Sequence, residues 1–177
     1  MIRQGTPGVF FDRDGTIIYD VGYPRRPEQV TLILGVEEAL AEIKQHGFQL
    51  IMVSNQSGVG RGILNLEEAE QVHRQVISCL RKSGIEVDGF YYCFHSPEEH
   101  CSCRKPSPEM LFRAAEELNI NLAESIMVGD KQSDIEAGKR AGCKTILLLD
   151  SSEREDVTFK PDFIASNWSD VLLYILN

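Results

Sequence analysis

The 177-residue chain has no apolar run approaching membrane-spanning length, and no apolar stretch precedes its first strand-like segment. These absences lead us to expect no membrane partner, no secretory signal and a cytoplasmic location. Positive charge is also short. Eighteen lysines and arginines face 27 aspartates and glutamates, and the net charge of −9 argues against a nucleic-acid partner. An anionic small molecule is not excluded, because local cations decide its recognition. Cysteine is sparse and odd in number, five in all, so a disulfide framework is not expected. In a reducing compartment such thiols bind metal or pack in a core. No repeat, low-complexity tract or linker divides the chain, and its length suits a single domain over residues 1–177.

What is present is an alternation of short apolar runs with amphipathic segments. Runs at 9–11, 48–53, 89–94, 125–128, 144–149 and 163–165 read as strands. Helical faces follow at Val36/Ala39/Leu40/Ile43, at Leu66/Ala69/Val72/Val76/Cys79/Leu80 and at Leu111/Ala114/Ala115/Leu118. A further helix starts at Ser133–Glu136, read as a capping box, and a terminal helix is expected at 171–176. Cys79 belongs to the core on this pattern and His73 to the surface. Alternating strands and helices imply an α/β fold with a parallel sheet and right-handed crossovers. Residues 17–34 and 150–161 are expected as loops. Long loops are often functional, and Tyr23, Arg25 and Arg26 are as compatible with substrate contact as with a solvated surface.

Three apolar strands end in polar clusters: Asp12/Asp14, Ser54/Asn55 and Asp130/Lys131. Parallel strands bring those ends to one edge, where open α/β sheets bind ligands. Two aspartates so close need a cation beside them, and Mg²⁺ suits oxygen ligands and leaves room for a phosphate. Lys105 follows the third strand and can reach the same edge. Carboxylates, a hydroxyl and lysines are what phosphate-monoester hydrolysis needs: a nucleophile, a general acid/base, a metal ligand and donors for the transferring group. Residues 54–62, with three glycines, suit backbone approach to an anion, although alone they also read as a flexible turn.

A second constellation is Cys93-x-His95, five residues, then Cys101-x-Cys103. Three thiols and an imidazole form a closed tetrahedral set for a structural Zn²⁺. His100 offers a competing imidazole in the same loop. Arg104-Lys105-Pro106 follows directly, so the metal would fix the backbone that presents both cations.

The Asp-Arg-Asp-Gly-Thr run, Ser54, Lys105 and Gly129-Asp130-x-x-x-Asp134 resemble the four motifs of the haloacid dehalogenase superfamily. Asn-Gln-Ser-Gly-Val-Gly-Arg-Gly, the Cys/His set and Arg-Lys-Pro resemble its heptose/histidinol-phosphate phosphatase branch, over about residues 9–149. The resemblance implies a three-layer, Rossmann-like parallel sheet with a minimal cap and a zinc-binding loop. It implies Asp12 as nucleophile, Asp14 as general acid/base, and Ser54 and Lys105 as stabilisers of the phosphoryl group. Mg²⁺ would be held by Asp12, the Asp14 backbone carbonyl and Asp130, with Asp134 orienting its neighbours. Zn²⁺ would be held by Cys93, His95, Cys101 and Cys103. Substrate contacts would come from Asp20, Tyr23, Asn55, Gln56, Ser57, Arg61, Arg104 and Lys131. The implied partner is a small phosphorylated sugar, heptose 1,7-bisphosphate cleaved at its 7-phosphate for glycan-core biosynthesis, and the enzyme would be a monomer. Histidinol phosphate is the rival substrate. Ser57 where that rival pattern carries Asp, and Arg61 after it, suit a doubly phosphorylated sugar better. A non-enzymatic phospho-receiver would use similar groups, but has no use for Asp14 or a zinc loop.

Overall fold

The computed structural model describes residues 5–149 and 159–177. Six strands form one parallel sheet in the order β3-β2-β1-β4-β5-β6: β1 (Gly8–Phe11), β2 (Gln49–Asn55), β3 (Gly89–Cys93), β4 (Ile126–Gly129), β5 (Lys144–Leu148) and β6 (Phe163–Ala165). Helices are α1 (Val36–Gln45), α2 (Ser57–Gly60), α3 (Leu66–Lys82), α4 (Glu109–Leu118), α5 (Gln132–Ala141) and α6 (Trp168–Leu176). Among the described residues no helix is long and apolar enough to cross a membrane.

The strands alternate between two cores, as a sheet covered on both faces requires. Val9, Phe11, Leu50, Met52, Ile126 and Val128 pack with Leu40 and Ile43 of α1, Val76 and Leu80 of α3, and Trp168 of α6. Phe10, Ile51, Val53 and Met127 point the other way, onto Met110, Leu111 and Ala114 of α4 and Ala137 of α5. The result is the expected three-layer arrangement. Strand order reverses about β1 and β4, so a crevice opens at their carboxyl ends. Asp12 and Asp130 stand directly there.

Several local details differ from the sequence pattern. Residues 57–60 form a single helical turn instead of an open loop. The box that opens α5 is set by Asp134, whose Oδ2 accepts from the Lys131 amide at 3.0 Å, so the helix starts before Ser133. Cys79 is half-buried and Leu66 is 48% exposed, because the stripe that α3 buries is Ala69, Val72, Val76 and Leu80. His73 is not a free surface residue. It sits edge-on to Phe90 and Tyr92, hydrogen-bonds the Tyr92 hydroxyl, and is held by burial at about 4, hence neutral. The terminal helix begins earlier than its apolar residues suggest, at Trp168, with Asn167 Oδ1 accepting the Asp170 amide at 3.0 Å. Trp168 is fully buried and its indole N–H donates to the Thr16 carbonyl at 2.8 Å, which ties the end of the chain to the turn after β1. Of the expected loop at 150–161, residues 150–158 lie outside the described residues.

Candidate active site

Asp12 follows β1 and its amide donates to the Val128 carbonyl of β4 at 3.1 Å, which fixes its backbone. Lys105 reaches it from across the sheet edge. The ammonium donates to Asp12 Oδ1 at 2.9 Å and to the Val53 carbonyl at 2.7 Å, and pairs with Asp134 Oδ1 at 2.6 Å. A lysine that is 3% exposed must find such partners, because burying an unpaired charge is costly. Its position is set by Asn55 at the end of β2. That side chain accepts from the Lys105 amide and donates to the Lys105 carbonyl, both at 3.0 Å.

Asp130 completes the acidic set, and Thr16 Oγ1 donates to its Oδ1 at 3.4 Å. Two glycines let these groups converge. Gly15, at φ +79°, faces the Asp130 carboxylate so closely that a Cβ would collide with it, and a Cβ at Gly129 would collide with Asp134. Asp12, Asp130 and Asp134 each offer an oxygen within 4.8 Å of the others.

The charge balance explains what this cluster lacks. Burial opposes the Asp12 charge, but Lys105 outweighs it and holds the carboxyl below its ordinary range; Ser54 helps. Lys105 is raised by Asp12 and Asp134 against the pull of burial. Burial keeps Asp134 raised even so. Asp130 fares worst: burial, with Asp12 and Asp134 adding, pushes it up to about 7. The nearest cation is Lys131 at 3.9 Å. Asp12 and Asp134 thus share the one buried ammonium, Asp130 has only a long pair to Lys131, and an all-oxygen set short of positive charge fits a hard divalent cation such as Mg²⁺.

A cavity of about 290 Å³ opens over these residues. It is lined by Asp12, Asp14, Asp20, Tyr23, Asn55, Gln56, Ser57, Arg104, Lys105 and Lys131, all anticipated from the sequence, together with Gly22, Ser133 and Asp134. Lys131 pairs with Asp20 at 3.5 Å, linking the segment after β1 to the end of β4. Ser54 is buried beneath the rim and accepts from Gln56 Nε2 at 2.9 Å. Arg61, also expected at the substrate, does not line the cavity: it follows the helical turn at 57–60 and lies 3.8 Å from Glu98. Arg25 likewise faces the Ile63 carbonyl, and neither Arg25 nor Arg26 lines the cavity. Arg13 was missed. It looks like a spacer between two aspartates, yet it is 2% exposed and forks onto Asp14, at 3.0 and 2.9 Å from one guanidinium nitrogen. The Asp14 carboxylate is turned to this partner and to Gln56, apart from the Asp12/Asp130/Asp134 group. Burial raises it, Arg13 opposes, and Asp12 adds to the rise.

The Cys/His loop closes as the spacing predicts. Cys93 Sγ lies 3.5 Å from Cys101 Sγ and 3.6 Å from His95 Nδ1, and Cys103 Sγ lies 3.4 Å from that nitrogen and 3.6 Å from Cys101. A tetrahedron built on metal–sulfur bonds of about 2.3 Å has edges of roughly 3.7 Å, so four nearly equal separations match a zinc shell and far exceed a disulfide bond. Arg104, next in the chain, donates to the His95 carbonyl at 3.4 Å, inside the loop that the four side chains define.

Comparison with known proteins places this geometry. The HAD-hydrolase-like family model matches residues 102–171. D-glycero-beta-D-manno-heptose-1,7-bisphosphate 7-phosphatase of Helicobacter pylori (strain ATCC 700392 / 26695) is 43% identical over 142 residues, covering 80% of this chain and 82% of its own length. The chain belongs to this family of HAD-like phosphatases. The Haemophilus ducreyi relative of the same name is 36% identical and covers 97% of this chain and 100% of its own. Among solved structures, the D,D-heptose 1,7-bisphosphate phosphatase of B. bronchiseptica, complexed with magnesium and phosphate, matches with a TM-score of 0.83 at 26% identity, covering 96% of this chain and 98% of its own. Membership in this phosphatase family excludes the phospho-receiver reading.

Proposed function

We propose that residues 1–177 act as one Mg²⁺-dependent phosphatase domain that removes the 7-phosphate of D-glycero-β-D-manno-heptose 1,7-bisphosphate. One observation carries the reading: Lys105 holds Asp12 ionised at the cavity floor, while Asp130 beside it is raised because its long pair to Lys131 does not offset burial and its acidic neighbours. The relatives' names supply the substrate.

Asp12 attacks phosphorus in line with the sugar oxygen and becomes an aspartyl-phosphate. Asp14 protonates the departing oxygen, then takes a proton from the water that breaks the acyl-phosphate bond and restores Asp12. Ser54 and Lys105 donate to the phosphoryl oxygens, and Asp134 keeps Lys105 aimed. Asp12, the Asp14 carbonyl and Asp130 would hold Mg²⁺, which would offset the charge between nucleophile and phosphate. Arg104 and Lys131, two cations of the rim, bind the second phosphate, Lys131 exchanging its 3.5 Å pair with Asp20 for it, while Asp20 and Tyr23 meet sugar hydroxyls. Cys93, His95, Cys101 and Cys103 would hold Zn²⁺, which would fix the loop that presents Arg104.

Phosphate release with Mg²⁺, compared across both anomers of the bisphosphate and histidinol phosphate, tests this. Strong preference for the β-heptose is expected. Preference for histidinol phosphate keeps the chemistry and overturns the substrate. No release from any of them refutes the proposal.

A further inference from the structure

We propose that Arg13 and Gln56 are positioning residues that clamp the Asp14 side chain, aiming the carboxylate that serves as acid and base. The inference rests on the proposed role of Asp14.

Side chains adjacent in sequence seldom face one another. Here the chain folds back, with the amides of Thr16, Ile17 and Ile18 all donating to the Arg13 carbonyl at 3.3, 2.9 and 3.1 Å. With its backbone pinned, Arg13 turns its guanidinium onto its neighbour. Nε lies 3.2 Å from Asp14 Oδ1, and Nη2 lies 3.0 and 2.9 Å from the two oxygens. Gln56 closes the ring from the end of β2, 42 residues away. Its Nε2 donates to Asp14 Oδ2 at 2.7 Å, and its Oε1 accepts from Arg13 Nη2 at 2.8 Å. The same amide nitrogen donates to Ser54 Oγ at 2.9 Å, so the clamp is anchored to the sheet edge. Arg13 thereby holds both Asp14 oxygens, and Gln56, from a separate element, also holds Oδ2. Only a planar fork makes this arrangement, and a lysine in place of Arg13 would lose it.

A second cavity, of about 380 Å³, lies on the far side of the clamp. Arg13 and Gln56 form part of its wall, with His73, Phe90, Tyr92 and Phe94. Gln56 lines both cavities. A small solute can therefore reach the position that Arg13 fills without entering the substrate cavity.

The test assays R13A and Q56L beside the wild type, measuring phosphate release with Mg²⁺ over a range of bisphosphate concentrations, with and without sub-denaturing guanidinium. We expect kcat to fall about 10²-fold in each variant, the scale of a general acid/base contribution. KM holds, because the clamp aims a reacting group and does not bind substrate. Guanidinium restores part of the R13A loss and none of the Q56L loss. A purely structural ion pair would lower the melting temperature and leave kcat of the folded variants intact, and that result overturns the proposal. A change in KM alone for Q56L overturns it too, since Gln56 would then be a substrate contact. If R13A does not fold, Q56L decides by the same split. A wild type that releases no phosphate overturns the phosphatase reading and the clamp together, whereas an active wild type with normal variants overturns the clamp alone.

Discussion

The acidic cluster at the sheet edge and the Cys/His cluster in the following loop are both candidate metal sites, yet they are built in opposite ways. The acidic site is held by the fold. Asp12 hangs from a strand that pairs with β2 and β4, Asp134 lies in the first turn of α5, and a buried lysine binds the two together. The Cys/His site rests on the edge of one core, and its four side chains close on one another. Only Cys93 belongs to a strand, while His95, Cys101 and Cys103 lie in irregular chain whose one ordered feature is a 3₁₀ turn at Pro97–Glu99. The lesson is a division of labour. Charge in the first site is organised before any ion arrives, so an ion bound there would serve chemistry. The second site has no internal cation among the described residues and little regular structure of its own, so an ion bound there would serve structure.

The largest effect that would break this contrast is expected at Asp12. D12N keeps the side chain's shape and leaves Lys105 paired with Asp134, so the fold should survive while turnover falls on the order of 10⁴-fold or more. Trapped phosphoenzyme, present in the wild type and absent in D12N, is the readout. Activity close to wild type would remove Asp12 as nucleophile. Lys105 comes next, because it is the internal cation on which preorganisation depends. K105M leaves buried carboxylates uncompensated and should cost about 3–5 kcal/mol in urea unfolding. A loss below about 1 kcal/mol would mean that the cluster is not held by its lysine.

The Cys/His site should respond the other way. C101S should lower zinc content from near one per chain, expose the backbone around Arg104 to trypsin, and reduce activity about 10-fold through misplacement of Arg104. Lys105 should stay largely in place, because Asn55 holds its backbone from β2. Unchanged zinc content by elemental analysis would sink the zinc assignment. Global unfolding of C101S would sink the contrast itself.

What the sequence made legible follows the same division. Strand ends, and the carboxylates or thiols on them, are visible because apolar runs and short spacings are local. Val9–Phe11 followed by Asp12, and Cys93-x-His95 with Cys101-x-Cys103, needed no tertiary information. Long side chains were not legible, because their partners are chosen in space. Arg13 meets Gln56 from 43 residues away, Arg61 is claimed by Glu98, and Arg25 by the Ile63 carbonyl. Asp134 matched a motif, but its place as the return residue of the α5 box was masked by Ser133 and Glu136, which imitate a box of their own. Trp168 carried no pattern at all, since one buried indole N–H on the Thr16 carbonyl has no periodicity to betray it.

The smallest effect sharpens the contrast most. Burial beside Asp12 and Asp134 pushes Asp130 up to about 7 in the metal-free protein. A carboxyl raised above its unfolded value makes the folded state bind a proton more tightly. Its stabilising share is complete below about 4, and is lost as pH rises through about 7. Above that, a third carboxylate is ionised with only the long pair to Lys131 to balance it, and a divalent cation would supply the missing charge. Mg²⁺ should therefore raise the melting temperature by a few degrees near pH 8 and by much less near pH 5.5, where a proton already fills the role. D130N should remove the pH dependence of this gain and most of the gain itself. An equal Mg²⁺ effect at both pH values would place the ion away from Asp130. Zinc in the Cys/His site should leave this difference unchanged, because its ligands share no residue with the acidic set.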